Sequence, residues 1–315
     1  MSFLKCEICS EEICDKVDFE NHIKSIHGVK VQKYCENFLK KVDLLTGEPI
    51  LFKSFDQYLL TDFANKKDML KWLKINKESG LSEKFISNKI IDHSKIKSVG
   101  VFPSSSEMRT ISYLPSMKTY RFFFNDLNKF IDSTGLNRRF NYNFNELKLN
   151  FICEKNITID TREQKPLVFK KISTNIEKLE FGDYSCDKLL AVERKSLNDL
   201  VSTLSSGFER FCREIERCRE SGGYLVVVTE CDINKFLSFS YSRVGRFAKA
   251  GSDFIFHRFR DICKKYPETV QFCFSGGRRE SSNLIELILS NSSDIIKNID
   301  LQNCIEEGYI DICGK

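Results

Sequence analysis

Two carboxylates and an ammonium group lie close together in this chain and read as a metal-dependent phosphodiester-cleaving site. Gly182-Asp183-Tyr184 places one acid, nine residues separate Asp183 from Glu193, and Glu193-Arg194-Lys195 supplies a second acid and a Lys. Asp199 follows four residues after Lys195. Alternate residues of a strand share a face, so Glu193 and Lys195 would point into the same site. The preceding run Leu189-Leu190-Ala191-Val192 is apolar enough to be that strand, buried in a sheet. Oxygen ligands suit Mg²⁺ or Mn²⁺, which keeps several waters and takes one or two protein carboxylates. In a chain that is 30% charged such triplets also arise as solvated strand ends, so the wider context decides.

That context is a family pattern. Ile159-Asp160-Thr161-Arg162-Glu163 stands upstream, and Ser196-Leu197-Asn198-Asp199-Leu200-Val201-Ser202 continues downstream. With Gly-Asp, a spacer, Glu-Arg-Lys and a later Asp, the chain resembles the XPF family of structure-selective nucleases. The match is tight over about 156 to 230 and looser to about 291. The resemblance implies a restriction-endonuclease-like fold, a mixed sheet flanked by helices. It also implies that Asp183, Glu193 and the Arg194 carbonyl hold a catalytic Mg²⁺ (or Mn²⁺), with Lys195 orienting the attacking water. Asp160 and Asp199 would support the site through metal-bound water or by fixing Lys195 and Arg194. Arg162 and Glu163 would brace it, and the products would carry a 5′-phosphate and a 3′-hydroxyl. Family members commonly append helix-hairpin-helix motifs, whereas only about 24 residues follow position 291 here. The amino-terminal regions are expected to substitute. A homodimer or heterodimer through the nuclease domain is expected, by helices near 253–266 and 279–291.

Cys6-x2-Cys9-x12-His22-x4-His27 has the ligand spacing of a two-Cys two-His zinc finger. Leu4, Ile13 and Phe19 fall where the small core of a ββα finger needs them, and Glu20 to His27 reads as its helix. A knuckle of this size does not hold together without metal, so Zn²⁺ would be structural. With Phe19 as the fourth helical residue, Asp15, Asp18 and Asn21 take the base-reading positions. Two acids facing a polyanion make poor duplex affinity, so the finger is expected to be ancillary.

These sites need elements to carry them. From 151 onward, short apolar strands alternate with amphipathic helices, the pattern of an α/β domain. Strands are predicted over 151–160, 176–181, 189–195, 224–229 and 269–274. Helices are predicted over 197–205, 208–220, 253–266 and 279–291. The expected divisions are a finger over 1–30, a basic, aromatic-rich and mainly helical or mixed region over 31–150, the nuclease domain over 151–295 and a tail over 296–315. Residues 104–106 read as a loop, and 110–120 mixes β-formers with Pro115.

Charge is uneven. Residues 1–30 carry a net −2, and residues 31–150 hold 20 Lys and Arg against 13 acids, a net +7. Phosphate neutralisation supplies much nucleic-acid affinity, so the middle region is the better substrate-holding surface. The candidates for nucleic-acid contact are Arg138 and Arg139 beside Tyr142, Arg243, Arg246 and Lys249 in a Ser/Gly-containing stretch, and Arg278 and Arg279. Arg210, Arg213 and Arg217 read instead as partners of Glu209, Glu214 and Glu216 at helical spacing. The 13 cysteines are scattered and mostly in apolar segments, which reads as free buried thiols of an intracellular, cytoplasmic or nuclear protein. No signal-peptide core, membrane span or small-molecule cofactor is expected. The excess of Phe, Ile, Lys and Asn suits an AT-rich genome, as in viral or mobile elements. The leading reading is a Mg²⁺-dependent DNA endonuclease acting on branched, flap or otherwise structured DNA. Its rivals are an inactive nuclease-fold scaffold and a ribonuclease.

Overall fold

The computed structural model describes residues 4–143, 156–239 and 251–313. They fall into two compact units, Met1–Ser98 with Ile111–Pro115, and Val99–Thr110 with Ser116–Lys315. No helix among the described residues is long and apolar enough to cross a membrane.

The first unit opens with β1 (Leu4–Lys5) and β2 (Glu12–Ile13), paired antiparallel, and α1 (Lys16–Ser25). The Asp15 carboxylate accepts from the amides of Val17 and Asp18 and so starts α1 four residues before the expected Glu20. Four helices follow: α2 (Val31–Phe38), α3 (Phe55–Leu60), α4 (Lys66–Ile75) and α5 (Leu81–Lys97). Phe19 and Ile23 of α1 share one core with Tyr34, Cys35, Phe52 and Phe55, so the β1-β2-α1 segment is the edge of a larger body rather than a free-standing unit. Part of the positive excess is spent internally. Asp56 takes Lys16 and Lys97, and Asp62 takes Lys41 and Lys89.

The second unit begins with α6 (Ser105–Thr110), α7 (Met117–Phe123) and α8 (Leu127–Ser133). The expected loop at 104–106 is instead a helix start, because Ser104 and Glu107 hydrogen-bond one another reciprocally. A six-stranded mixed sheet follows, in the order β4-β3-β5-β6-β7-β8. Its strands are β3 (Ile157–Asp160), β4 (Thr174–Glu177), β5 (Tyr184–Ser185), β6 (Leu190–Lys195), β7 (Tyr224–Thr229) and β8 (Val270–Phe274). β5 runs against both its neighbours, whereas the other pairings are parallel. The expected α/β sheet with flanking helices is therefore present.

The helices are α9 (Leu197–Leu204), α10 (Phe208–Glu220), α11 (Ile233–Leu237), α12 (Ser252–Lys265), α13 (Arg278–Leu289), α14 (Ser293–Lys297) and α15 (Leu301–Glu306). β7 reads Tyr-Leu-Val-Val-Val-Thr and is buried throughout, as a parallel strand covered on both faces must be. Leu200, Phe211, Ile215, Ile255 and Phe259 from α9, α10 and α12 pack against Ala191, Leu225, Val227 and Phe272 of the sheet. Alternation puts Glu193 and Lys195 on the Ala191 face, the one that α9 and α10 cover.

The compact units do not follow the divisions read from composition. Residues 296–313 are not a loose tail. α15 closes the exposed edge next to β8, where Gln302 Oε1 accepts from Phe274 N (2.8 Å) and Gln271 Oε1 from Leu301 N (3.1 Å). Residues 116–143 likewise belong to the second unit. The reason is a buried polar network: Asp300 accepts from Ser105 N (2.6 Å) and Asn303 N (3.0 Å), and Arg139 donates to Val270 O.

Candidate active site

β6 ends in the three motif residues, and the geometry there follows from the sheet. Arg194 N donates to Asp183 Oδ2 (2.8 Å), Asp183 N to Val192 O (2.8 Å) and Asp160 N to Asp183 O (2.9 Å). Asp183 is thereby fixed beside β6 by its backbone and its carboxylate together. Gly182, at φ +70°, makes the turn possible: a Cβ there would lie 3.0 Å from Ala191 Cβ and 3.1 Å from Val192 O. Lys195 Nζ donates to Glu193 Oε1 at 2.6 Å and stands 5.2 Å over the Phe211 ring. The expectation that Glu193 and Lys195 share a face holds.

These groups line one cleft of about 460 Å³, together with Arg162, Glu163, Arg194 and Asp199. A second, adjoining hollow adds Gly182, Glu214 and Arg217, and Arg210 borders both. Burial dominates the electrostatics. It pushes Asp183 up to about 6, helped by the charges of Glu163 and Glu214 and opposed by the Arg194 amide and Lys195. Burial likewise pushes Glu193 up to about 8, against the pull of Lys195 and with the repulsion of Asp183 and Glu214. Burial pulls Lys195 down, but Glu193 and the other acids outweigh it and hold its pKa above the usual lysine value. Burial and mutual repulsion raise both carboxyl groups, and a divalent cation bound by oxygen would favour their charged forms. Asp183 and Glu193 therefore fit the hard-cation ligand pair.

Asp160 stands elsewhere. It is 2% exposed and its carboxylate is filled by Arg162 N (2.7 Å), Arg162 Nε (2.7 Å), Arg162 Nη2 (3.0 Å) and Leu179 N (2.7 Å). Burial raises its pKa, but the Arg162 and Leu179 hydrogen bonds outweigh that and keep it below the usual carboxylate range. Of the two expected routes of support, metal-bound water or the fixing of Lys195 and Arg194, Asp160 makes no contact of the second kind and instead braces Arg162. Asp199 is exposed in the cleft and pairs with Ser196, whose Oγ donates to Asp199 Oδ2 (2.6 Å) while accepting from Asp199 N (3.2 Å). It too leaves Lys195 and Arg194 untouched. Arg194 points to Glu163 (3.1 Å) and Glu230 (2.9 Å), which fixes the strand end from the far side.

The nucleic-acid candidates divide. Arg139 is corrected: it is 8% exposed and its guanidinium is turned inward onto Val270 O, so it cannot meet a phosphate. Tyr142 is buried beside it. Arg138 is on the surface, 3.8 Å from Asp132. Arg278 is exposed and donates to Lys165 O (2.7 Å) and Pro166 O (2.8 Å), at the loop that borders the cleft, and Arg279 is exposed next to it. Arg243, Arg246 and Lys249 lie outside the described residues. Arg210 and Glu214 were missed. The alternating charges of α10 hid them, because Glu and Arg at helical spacing read equally well as surface ion pairs.

Cys6, Cys9, His22 and His27 form a second constellation, with ligand atoms all within 4.8 Å of one another. Cys6 Sγ is 3.5 Å from His27 Nε2, Cys9 Sγ 3.3 Å from His22 Nε2, and the two Nε2 atoms are 3.1 Å apart. A tetrahedron with metal–ligand bonds of roughly 2.0–2.3 Å has edges of this size, so the four residues fit one metal ion. Around it, Tyr34 Oη accepts from Glu7 N (2.8 Å) and donates toward Cys6 Sγ (4.0 Å). The His22 Nδ1 side faces Glu11 (3.3 Å), the outer-shell contact that a ligating His commonly makes.

Residues 159–275, from β3 to just past β8, match the family model of the ERCC4 domain. This segment is thus similar to the ERCC4 domain of the XPF nuclease family. It contains every motif residue of the cleft. The chain is also similar to two solved structures of XPF from Aeropyrum pernix. The first is 18% identical with a TM-score of 0.35, covering 45% of this chain and 68% of that one. The second, XPF in complex with DNA, is 16% identical with a TM-score of 0.34, covering 50% and 77%. No curated protein matches the chain.

Proposed function

We propose that the chain is a Mg²⁺- or Mn²⁺-dependent DNA endonuclease that hydrolyses phosphodiester bonds in branched, flap or otherwise structured DNA. The convergence of Asp183, Glu193 and Lys195 in one cleft of an ERCC4 domain carries the reading. Asp183, Glu193 and the Arg194 carbonyl are the metal-holding groups, and the metal's contribution when bound is Lewis acidity toward the phosphate and its water. Lys195 orients that water and stabilises negative charge developing on the phosphate. Glu163 and Arg194 hold the strand end, and the Asp160–Arg162 pair holds the wall opposite. Asp199, exposed in the cleft, is placed to accept a hydrogen bond from a bound water.

Substrate is held by the basic surfaces. Lys67, Lys71 and Lys74 are exposed along one face of α4, at helical spacing, and Arg138, Arg278 and Arg279 are exposed on the second unit. Cys6, Cys9, His22 and His27 hold a structural Zn²⁺. Asp15, at the helix cap, and Asp18 keep the finger from reading duplex bases, so its role is ancillary. Dimerisation through the domain would use α12, where Phe254 is exposed, because the apolar side chains of α13 are buried within the chain.

The deciding experiment sets flap, fork, single-stranded, duplex and RNA substrates side by side, with and without Mg²⁺. Mg²⁺-dependent cutting of structured DNA with 5′-phosphate products is expected. Cutting of RNA alone, or of nothing, would sink the proposal.

A further inference from the structure

We propose that Glu214, which lies outside the nuclease motif, is a positioning residue that anchors the Gly182–Asp183 turn from the helical side of the cleft. Its catalytic consequence rests on the nuclease reading above, whereas the anchoring does not.

Glu214 Oε1 accepts from Gly182 N at 3.1 Å. Gly182 is buried and sits hard against Ala191 and Val192, so its amide needs an acceptor close by. The other holds on Asp183 come from strands: Val192 O and the Arg194 amide of β6, and the Asp160 amide of β3. Glu214 is the hold supplied by α10, and it ties that helix to the metal-holding turn. It faces Arg162, Asp183, Glu193, Lys195, Arg210 and Arg217 around the same hollow.

A surface ion-pair role is the plain alternative, and α10 does have such a pair, in Glu216 with Arg219 (2.5 Å) on another face. Glu214 is instead half-buried and bonded to the backbone of the motif. A third acid beside Asp183 and Glu193 carries an electrostatic penalty. The hydrogen bond to Gly182 gives a reason for a side-chain acceptor at this place. If the acceptor is what matters, Gln will serve as well as Glu.

The test compares the full chain with Glu214→Gln and Glu214→Ala. Amide hydrogen exchange is read over 181–185 without added Mg²⁺, and turnover at saturating Mg²⁺. Glu214→Ala is expected to exchange faster in that segment and to lose roughly 10- to 100-fold in kcat, with KM for DNA unchanged. Glu214→Gln is expected to restore both. Exchange unchanged in Glu214→Ala, or Glu214→Gln as impaired as Glu214→Ala, overturns the proposal. Should Glu214→Ala fail to fold, Glu214→Met fills the space without a comparable acceptor and is judged the same way. A wild-type chain that cuts nothing sinks the nuclease reading and the catalytic half with it, while exchange still decides the anchoring.

Discussion

Lys195 Nζ lies 2.6 Å from Glu193 Oε1, and both side chains project from one strand into a cleft that also holds Asp183. In the chain without added metal, this ammonium group is the nearest positive charge for a carboxylate that burial has pushed to about 8.

Removing either Lys195 or Asp183 should stop the chemistry without stopping binding. Lys195→Ala and Asp183→Asn are expected to cut at least roughly 100- to 1,000-fold more slowly. DNA affinity, measured by fluorescence anisotropy without Mg²⁺, should stay near that of the wild type, because phosphate contacts come from other residues. Normal turnover by either purified variant would refute the assignment.

The raised carboxylates have a consequence for stability. A carboxylic acid whose pKa is higher folded than unfolded binds more protons in the folded state between the two values. Stability therefore falls as pH rises through that window. For Asp183 the window runs from the ordinary value of 3.8 to about 6, and for Glu193 from 4.5 to about 8. Asp160 has the opposite sign, so the comparison must be made between variants. The melting temperature of the wild type relative to Glu193→Gln should drop between about pH 5 and pH 8 in EDTA, in a zinc-loaded chain, and Mg²⁺ should reverse the drop. A difference that is flat with pH would show that Glu193 is not held protonated.

Zinc loss should reach beyond the finger. Phe19 and Ile23 share their core with Tyr34, Cys35 and Phe55, and Tyr34 hydrogen-bonds Glu7 and the Cys6 sulfur. Cys6→Ala, or a zinc chelator, is expected to speed amide exchange in α2 and α3 as well as α1. The strands β6 and β7 belong to the other unit and should exchange as before. Faster exchange confined to 4–27 would mean that the finger folds on its own.

Much of the second unit was legible because its sequence is locally consistent. β7 and α10 fall at the predicted residues, since a β-branched apolar run and a helix with Phe208, Cys212, Ile215 and Cys218 expected inward each specify one element, although Phe211 rather than Phe208 is the fully buried ring. The strand alternation that joins Glu193 to Lys195 was equally plain. Less legible were features set by tertiary contact. Residues 110–120 mix β-formers with a proline, yet the helix at 117–123 forms because Met117 and Tyr120 find a core to fill. The start of α1 followed the Asp15 cap, which outranked the metal spacing as a boundary marker. The placing of Asp160 on Arg162 needed the fold, because sequence gives the acid but not the neighbour that fills it.

Arg139 shows the same limit and permits a sharp test. Beside Arg138 and aromatic residues it reads as a phosphate contact, but its guanidinium is buried, donating to Val270 O, with Glu107 4.0 Å away. Burial lowers its pKa, but the neighbouring Tyr224 and Glu107 outweigh that, so the group stays charged in the interior. Arg139→Ala leaves the Val270 carbonyl and Glu107 without it and opens a cavity beside Phe140. A destabilisation of about 3 kcal/mol or more is expected, read by urea unfolding of the second unit. The salt dependence of DNA binding should keep its slope in Arg139→Ala. It should become shallower in an Arg278→Ala, Arg279→Ala double variant, because removing a cation that neutralises one phosphate reduces the slope by about one. A shallower slope in Arg139→Ala with unchanged stability would return this residue to the surface.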